Sequence, residues 1–122
     1  MIVKHENINQ ILFVQVEGDL LGLPEDLKLL HIAEEVLLTF GVKQAAVDIS
    51  KINYMNSSGL TILIRMLTMY RNVGGEVVLI NPSISVNKIL IITKLNAIFN
   101  VLKTKEEAFA TLNPKQLAHV LV

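Results

Sequence analysis

Residues 47–63 read VDISKINYMNSSGLTIL, and two regimes meet inside them. On the left, QAAVDIS (44–50) is a short, nearly continuous apolar run, the pattern of a strand buried on both faces. On the right, apolar residues from Leu60 onward recur at helical spacing until Gly74 and Gly75 stop them. At the junction stand Asn56, Ser57 and Ser58, all favourable helix N-cap residues, and then Gly59. A strand that leads into a helix is half of a βα unit. Residues 50–58 are then a loop past the carboxyl end of a strand, where α/β sheets gather their functional groups.

A helix needs one N-cap, worth about 1 kcal/mol, and three candidates in a row exceed that need. Gly59 costs the helix about 1 kcal/mol relative to alanine. It also removes bulk beside the hydroxyls, as close approach by another backbone requires. Two readings are open: the serines cap a helix, or one of them offers its hydroxyl to a protein kinase. The helix carries two adjoining apolar stripes. Leu60, Leu63, Ile64, Leu67 and Tyr70 make one; Ile62, Met66, Met69 and Val73 make the other. Together they span roughly twice the ~100° that faces a single core. The second stripe either meets a neighbouring helix or is partly a docking surface, with methionines supplying adaptable packing.

The same alternation extends along the chain. ILFVQVEG (11–18) is rich in β-formers and ends at Gly18, and MIVKHE before it pairs with it through a turn at 7–9. Residues 23–41 predict a helix, with Pro24 in its first turn, Glu25 and Asp26 at its positive end and Gly41 after its last turn. EVVLIN (76–81) predicts a buried strand, 83–96 a helix, 97–103 a short last strand and 104–112 a helix with Thr104 and Glu107 at capping-box spacing. Strands and helices that alternate after an initial extended pair predict an α/β domain with a mostly parallel sheet.

Composition narrows the function. With 122 residues the chain suits one domain. Basic and acidic residues balance at 11 each, and no basic tract runs along the chain, which argues against nucleic acid as a partner. Without cysteine there is neither a disulfide nor a thiolate metal site. The first residues lack a signal-peptide pattern, and runs such as ILII (89–92) are too short to insert into a bilayer. A soluble, cytoplasmic protein is the expectation.

Enzyme motifs are missing. No G-x-S-x-G elbow surrounds Ser57 or Ser58, and His5, His31 and His119 lie far apart without an acidic orienter. No histidines and acids have metal-ligand spacing, and Gly74-Gly75 does not open a phosphate-binding pattern, so neither metal nor cofactor is expected. Asp48 is a strand-end residue. A receiver-type phosphoacceptor aspartate would need an acidic pair after the first strand, and Glu17 and Asp19, split by Gly18, do not make one.

The quoted stretch resembles the signature of STAS domains, specifically of bacterial anti-sigma factor antagonists. The likeness continues through VEGDLLG, NVGGEVVLINPS and KILIITKLNAIFNVLKTKEEA, covering about residues 8–112 and leaving 113–122 as a C-terminal tail. It implies a single STAS domain: a mostly parallel sheet of four to five strands, an N-terminal antiparallel strand and about four flanking helices. It further implies a non-enzymatic binding module switched on Ser58, the serine immediately before Gly59, with Ser57 as the alternative acceptor. The implied partners are an anti-sigma factor that is also a serine kinase, and a metal-dependent serine phosphatase. The surplus apolar arc, the methionines and the need for Ser58 to lie inside the contact it controls give the expected contact surface: Asp19, Asn53, Asn56, Ser57, Ser58 and Gly59, with the accessible part of the Ile62, Met66 and Met69 stripe. Asn56 stands where such proteins often carry aspartate; it keeps the cap and removes a charge beside Ser58. Related STAS domains act as constitutive docking subunits of transporters or signalling complexes, which is the alternative reading.

Overall fold

Ile2–Ile8 (β1) and Ile11–Leu20 (β2) form an antiparallel hairpin in which Ile2 faces Glu17 and Ile8 faces Ile11. The turn falls on Asn9 and Gln10, at φ 51° and 66°, so two left-handed residues match the twist of the strands. The structure, a computed structural model, describes residues 1–113, and the remainder of the expected tail lies outside them. A 3-10 turn at Pro24–Asp26 leads into helix α1, Leu27–Phe40. Then come β3 (Gln44–Met55), α2 (Ser57–Arg71), β4 (Glu76–Ile80), α3 (Ile84–Ile92), β5 (Asn100–Leu102) and α4 (Lys105–Leu112).

The five strands lie in sequence order, β1-β2-β3-β4-β5, and all pairs after the first are parallel. A sheet that never reverses its order, joined by right-handed crossovers, puts every crossover helix on one face. Accordingly α1, α2 and α3 share the larger core with Leu12, Val14 and Val16 of β2, Ala45, Val47 and Ile49 of β3, and Val77 and Leu79 of β4. The opposite face, with Ile11, Phe13, Ala46, Val78 and Ile80, is covered by α4 through Ala108 and Leu112. Strand residues alternate between the two cores because side chains alternate across the pleat. The expected single α/β domain with one antiparallel strand and four helices is therefore what the described residues form.

Several elements differ from their expected lengths: the last strand, expected over 97–103, is only Asn100–Leu102, and β3 and α3 differ as follows. β3 continues to Met55, five residues past the expected end at Ser50. Its extra length pairs with β2, Gly18 against Ile52 and Leu20 against Met55, across two register shifts that bend the ribbon. β4 reaches only as far as Asp48, so this two-stranded arm stands clear of the rest of the sheet. Its free side is closed by α3, where the Ser83 hydroxyl donates to the Ile52 carbonyl and the Ser85 hydroxyl to that of Asn53, both at 3.2 Å. The helix expected over 83–96 stops at Ile92. Lys94 adopts a left-handed conformation at φ 61° and a separate 3-10 turn, Leu95–Ala97, leads to β5.

Tyr70 ties the helical layer together. It is fully buried, and its hydroxyl donates to the Ala33 carbonyl of α1 at 2.8 Å. Burial pushes the phenol above the ordinary tyrosine range. Above about pH 10 the unfolded chain loses this proton while the native protein keeps it. The unfolded state then binds fewer protons, so stability falls as pH rises. Melting curves from pH 8 to 11 should show this decline, and Tyr70→Phe should flatten it while costing about 1 kcal/mol at neutral pH for the lost hydrogen bond. An equal alkaline slope in both proteins would contradict the assignment.

Candidate functional site

The long β3 leaves only Asn56 between strand and helix, so the expected loop over 50–58 shrinks to one residue. Asn56 is extended at φ −105° and ψ −178°, and its Oδ1 accepts the Gly59 N–H at 2.8 Å. That is the N-cap bond. Neither the Ser57 nor the Ser58 hydroxyl makes a hydrogen bond among the described residues, and both residues are exposed. The capping reading is thus satisfied by Asn56 alone, and the serine hydroxyls are left over.

Gly59 accounts for the close approach. A methyl group there would lie 2.0 Å from the Leu20 carbonyl oxygen and 2.7 Å from its carbon. The backbone that crowds it is the end of β2, part of the same chain. The Asn56 N–H also points at this carbonyl, at 3.4 Å. The start of α2 is therefore seated directly on the end of β2.

A second contact brings in Gly22 and Asp26, which were not among the expected site residues. Gly22, at φ 77°, packs on Ser58 so tightly that a methyl group on it would sit 2.5 Å from Ser58 Cβ. The turn that carries Gly22 is held by Asp26, which is only 1% exposed. One oxygen, Oδ2, accepts three successive backbone N–H groups: Leu21 and Gly22 at 2.9 Å and Leu23 at 3.2 Å. In sequence Asp26 counts only as a charge favouring a helix start. Its spacing three residues after Leu23 was the available signal, since the third residue of a capping box reaches back in this way.

The other candidate residues divide by burial. Asp19 and Asn53 are exposed and Asn56 is half-buried, all at the carboxyl ends of β2 and β3. Ile62 and Met66 are core residues, 3% and 0% exposed, and Met69 is half-buried against the same core. The accessible stripe expected from Ile62, Met66 and Met69 is thus corrected to part of Met69 alone, because the second stripe of α2 is used for packing inside the domain. Gly59 is buried as well. Apolar side chains that remain exposed at this end of the sheet include Ile2, Leu23, Tyr54 and Ile84. Leu23 follows the Gly22 contact with Ser58, and Ile84 and Tyr54 flank the Ser85–Asn53 bond.

The Asp48 carboxylate accepts from the backbone and hydroxyl of Ser50 at 3.0 and 2.7 Å. Among the described residues no cluster of His, Cys, Asp or Glu could hold a metal ion, and no helix is long and apolar enough to cross a membrane. What the site offers is a hydroxyl at the first turn of a helix, whose N–H groups and dipole accommodate an anion.

Residues 3–108 match the STAS domain family, and the chain belongs to it. Among solved structures, TM1081 of Thermotoga maritima superposes with a TM-score of 0.77 at 19% identity, covering 91% of this chain and 94% of that one. The anti-sigma factor antagonist SpoIIAA in its unphosphorylated form gives 0.69 at 16% identity, covering 92% and 98%. The murine anion transporter Slc26a9 gives 0.67 at 13% identity, where 89% of this chain matches 18% of that one. The fold thus serves both as a small separate protein and as one part of a membrane transporter.

Proposed function

We propose that this chain is a phosphorylation-switched anti-sigma factor antagonist. Its unphosphorylated form binds an anti-sigma factor that is also a serine kinase, and so releases the sigma factor. The kinase passes the γ-phosphoryl group of ATP to the Ser58 oxygen; ADP leaves and the hydroxyl proton goes to a base of the kinase. Binding then ends, and a metal-dependent serine phosphatase restores it by hydrolysis. The chain performs no chemistry itself and works in the cytoplasm, with residues 8–112 as its functional core and 113–122 as a tail.

The observation that carries this reading is the pair of surplus hydroxyls beside an already capped helix. Ser57 and Ser58 are exposed and unused, while Asn56 does the capping. SpoIIAA, which shares the fold, exists in unphosphorylated and phosphorylated forms. A phosphoserine adds about −1.5 to −2 charges. At a helix start the domain tolerates that charge, whereas inside an interface it must be desolvated, and disrupting such a contact costs about 2–5 kcal/mol. The contact surface comprises Asp19, Asn53, Asn56, Ser57, Ser58 and the outer part of Met69, with Leu23, Tyr54 and Ile84 as its exposed apolar members.

Capture of partners from native lysate, with mass spectrometry of proteins and phosphosites, tests the proposal. An anti-sigma factor kinase should be recovered, and with Mg-ATP it should modify Ser58. Phosphate on Ser57 with Ser58 bare would reverse the assignment. Ser58→Asp should weaken binding at least about tenfold, or ~1.4 kcal/mol, with an unchanged melt, and Ser58→Ala should still bind. Equal affinities for the unmodified and the fully phosphorylated protein would end the switch model. The alternative, a constitutive docking subunit, draws on the Slc26a9 likeness. It predicts capture of a transporter and no effect of either Ser58 variant.

A further inference from the structure

Three consecutive N–H groups converging on one anion make a nest, a concave donor set suited to negative charge. In this protein the nest of Leu21, Gly22 and Leu23 is already filled, by the buried Asp26 carboxylate. Its middle residue lies directly against Ser58. A phosphoryl group on Ser58 would therefore be carried by a residue in contact with a donor set that holds another anion. Two like charges held in neighbouring turns repel.

We propose that Asp26 is a positioning residue of the Ser58 switch: it pins the 21–23 turn against unmodified Ser58, and phosphorylation of Ser58 loosens that pin by charge repulsion and by competition for the same N–H groups. The proposal rests on Ser58 as the acceptor. It adds that the switch has two parts. The phosphate alters the surface at its own position, and it also releases the turn that presents Leu23, an exposed apolar side chain of the proposed contact surface. The partner would then face both a new charge and a displaced apolar residue. Tight packing favours this coupling. Gly22 has no room for a side chain toward Ser58, so the turn and the first turn of α2 are in direct contact and a displacement of one is felt by the other. The start of α2 is itself locked on the Leu20 carbonyl, which leaves the turn as the element free to respond.

The test needs no kinase. Phosphoserine is placed at position 58 by genetic encoding, and amide hydrogen exchange of Leu21, Gly22 and Leu23 is followed by NMR in both forms. Phosphorylation should speed exchange at these amides about tenfold or more, as a local opening would. Asp26→Asn keeps an oxygen acceptor and removes the charge, so in that background the acceleration should drop to about twofold or less. Equal protection in the two wild-type forms overturns the proposal, because a purely structural Asp26 would not sense Ser58. Equal acceleration in wild type and Asp26→Asn also overturns it, since displacement would then be steric only. If Asp26→Asn does not fold, the wild-type pair decides alone. The outcome is independent of whether a kinase acts on Ser58 in the cell, which the partner-capture experiment settles separately.

Discussion

Gly59→Ala should lower the stability of the domain by about 3 kcal/mol or more, at the upper end of what overpacking costs. The added carbon would lie 2.0 Å from the Leu20 carbonyl oxygen, which is backbone of a strand inside the sheet. No rotamer change can relieve it. Either β2 or α2 must shift, and both are anchored in the larger core through Leu20, Leu60 and Leu63. Taking about 4 °C per kcal/mol for a domain of this size, the melt should fall by about 12 °C or more. Gly41→Ala is the control. Gly41 is left-handed at φ 65° but has nothing within 4 Å of an added carbon. It should lose only about 1–2 kcal/mol, the cost of a left-handed alanine. If both variants melted alike, contact with β2 would not be what requires Gly59.

The second large effect separates two methionines of α2. Met66→Lys should leave the domain mostly unfolded, because Met66 is 0% exposed inside the core shared by α1, α2 and the sheet. An unpaired ammonium there costs several kcal/mol, against a total stability of about 5–15 kcal/mol. Met69→Lys should leave a folded protein, since Met69 is only half-buried and a lysine can run its stem along the core and keep its charge in water. Circular dichroism melts distinguish these outcomes, and binding titrations on the folded variant then report whether the edge of α2 belongs to the partner surface. A well-folded Met66→Lys would mean that α2 packs differently from the arrangement described.

This contrast shows why a broad apolar arc is ambiguous. The Ile62, Met66 and Met69 stripe suits a docking surface and an internal helix contact equally well while α2 is considered alone. The sheet order resolves it. Three crossover helices share one face, so α2 lies between α1 and α3 and is packed on more than one side. Exposed apolar residues are found instead on the turns and strand ends around Ser58, at Leu23, Tyr54 and Ile84. Single residues scattered over three segments leave no periodic trace.

Local chemistry was enough to read the order of strands and helices, the βα junction at Asn56 and the surplus of serines there. Periodicity, capping preference and glycine stops act over a few residues, and the chain displays them directly. The cap at Thr104, whose side chain accepts the Glu107 N–H at 3.1 Å, was legible for the same reason. The length of β3 was not. Its last five residues become strand through pairing with the end of β2, more than thirty residues away in the chain. The backbone that Gly59 must clear, the burial of Met66 and the Asp26–Gly22–Ser58 contact were likewise decided by the tertiary structure. Each depends on which segments are brought together when the sheet assembles, and hydrophobic spacing within one segment carries no record of its neighbours.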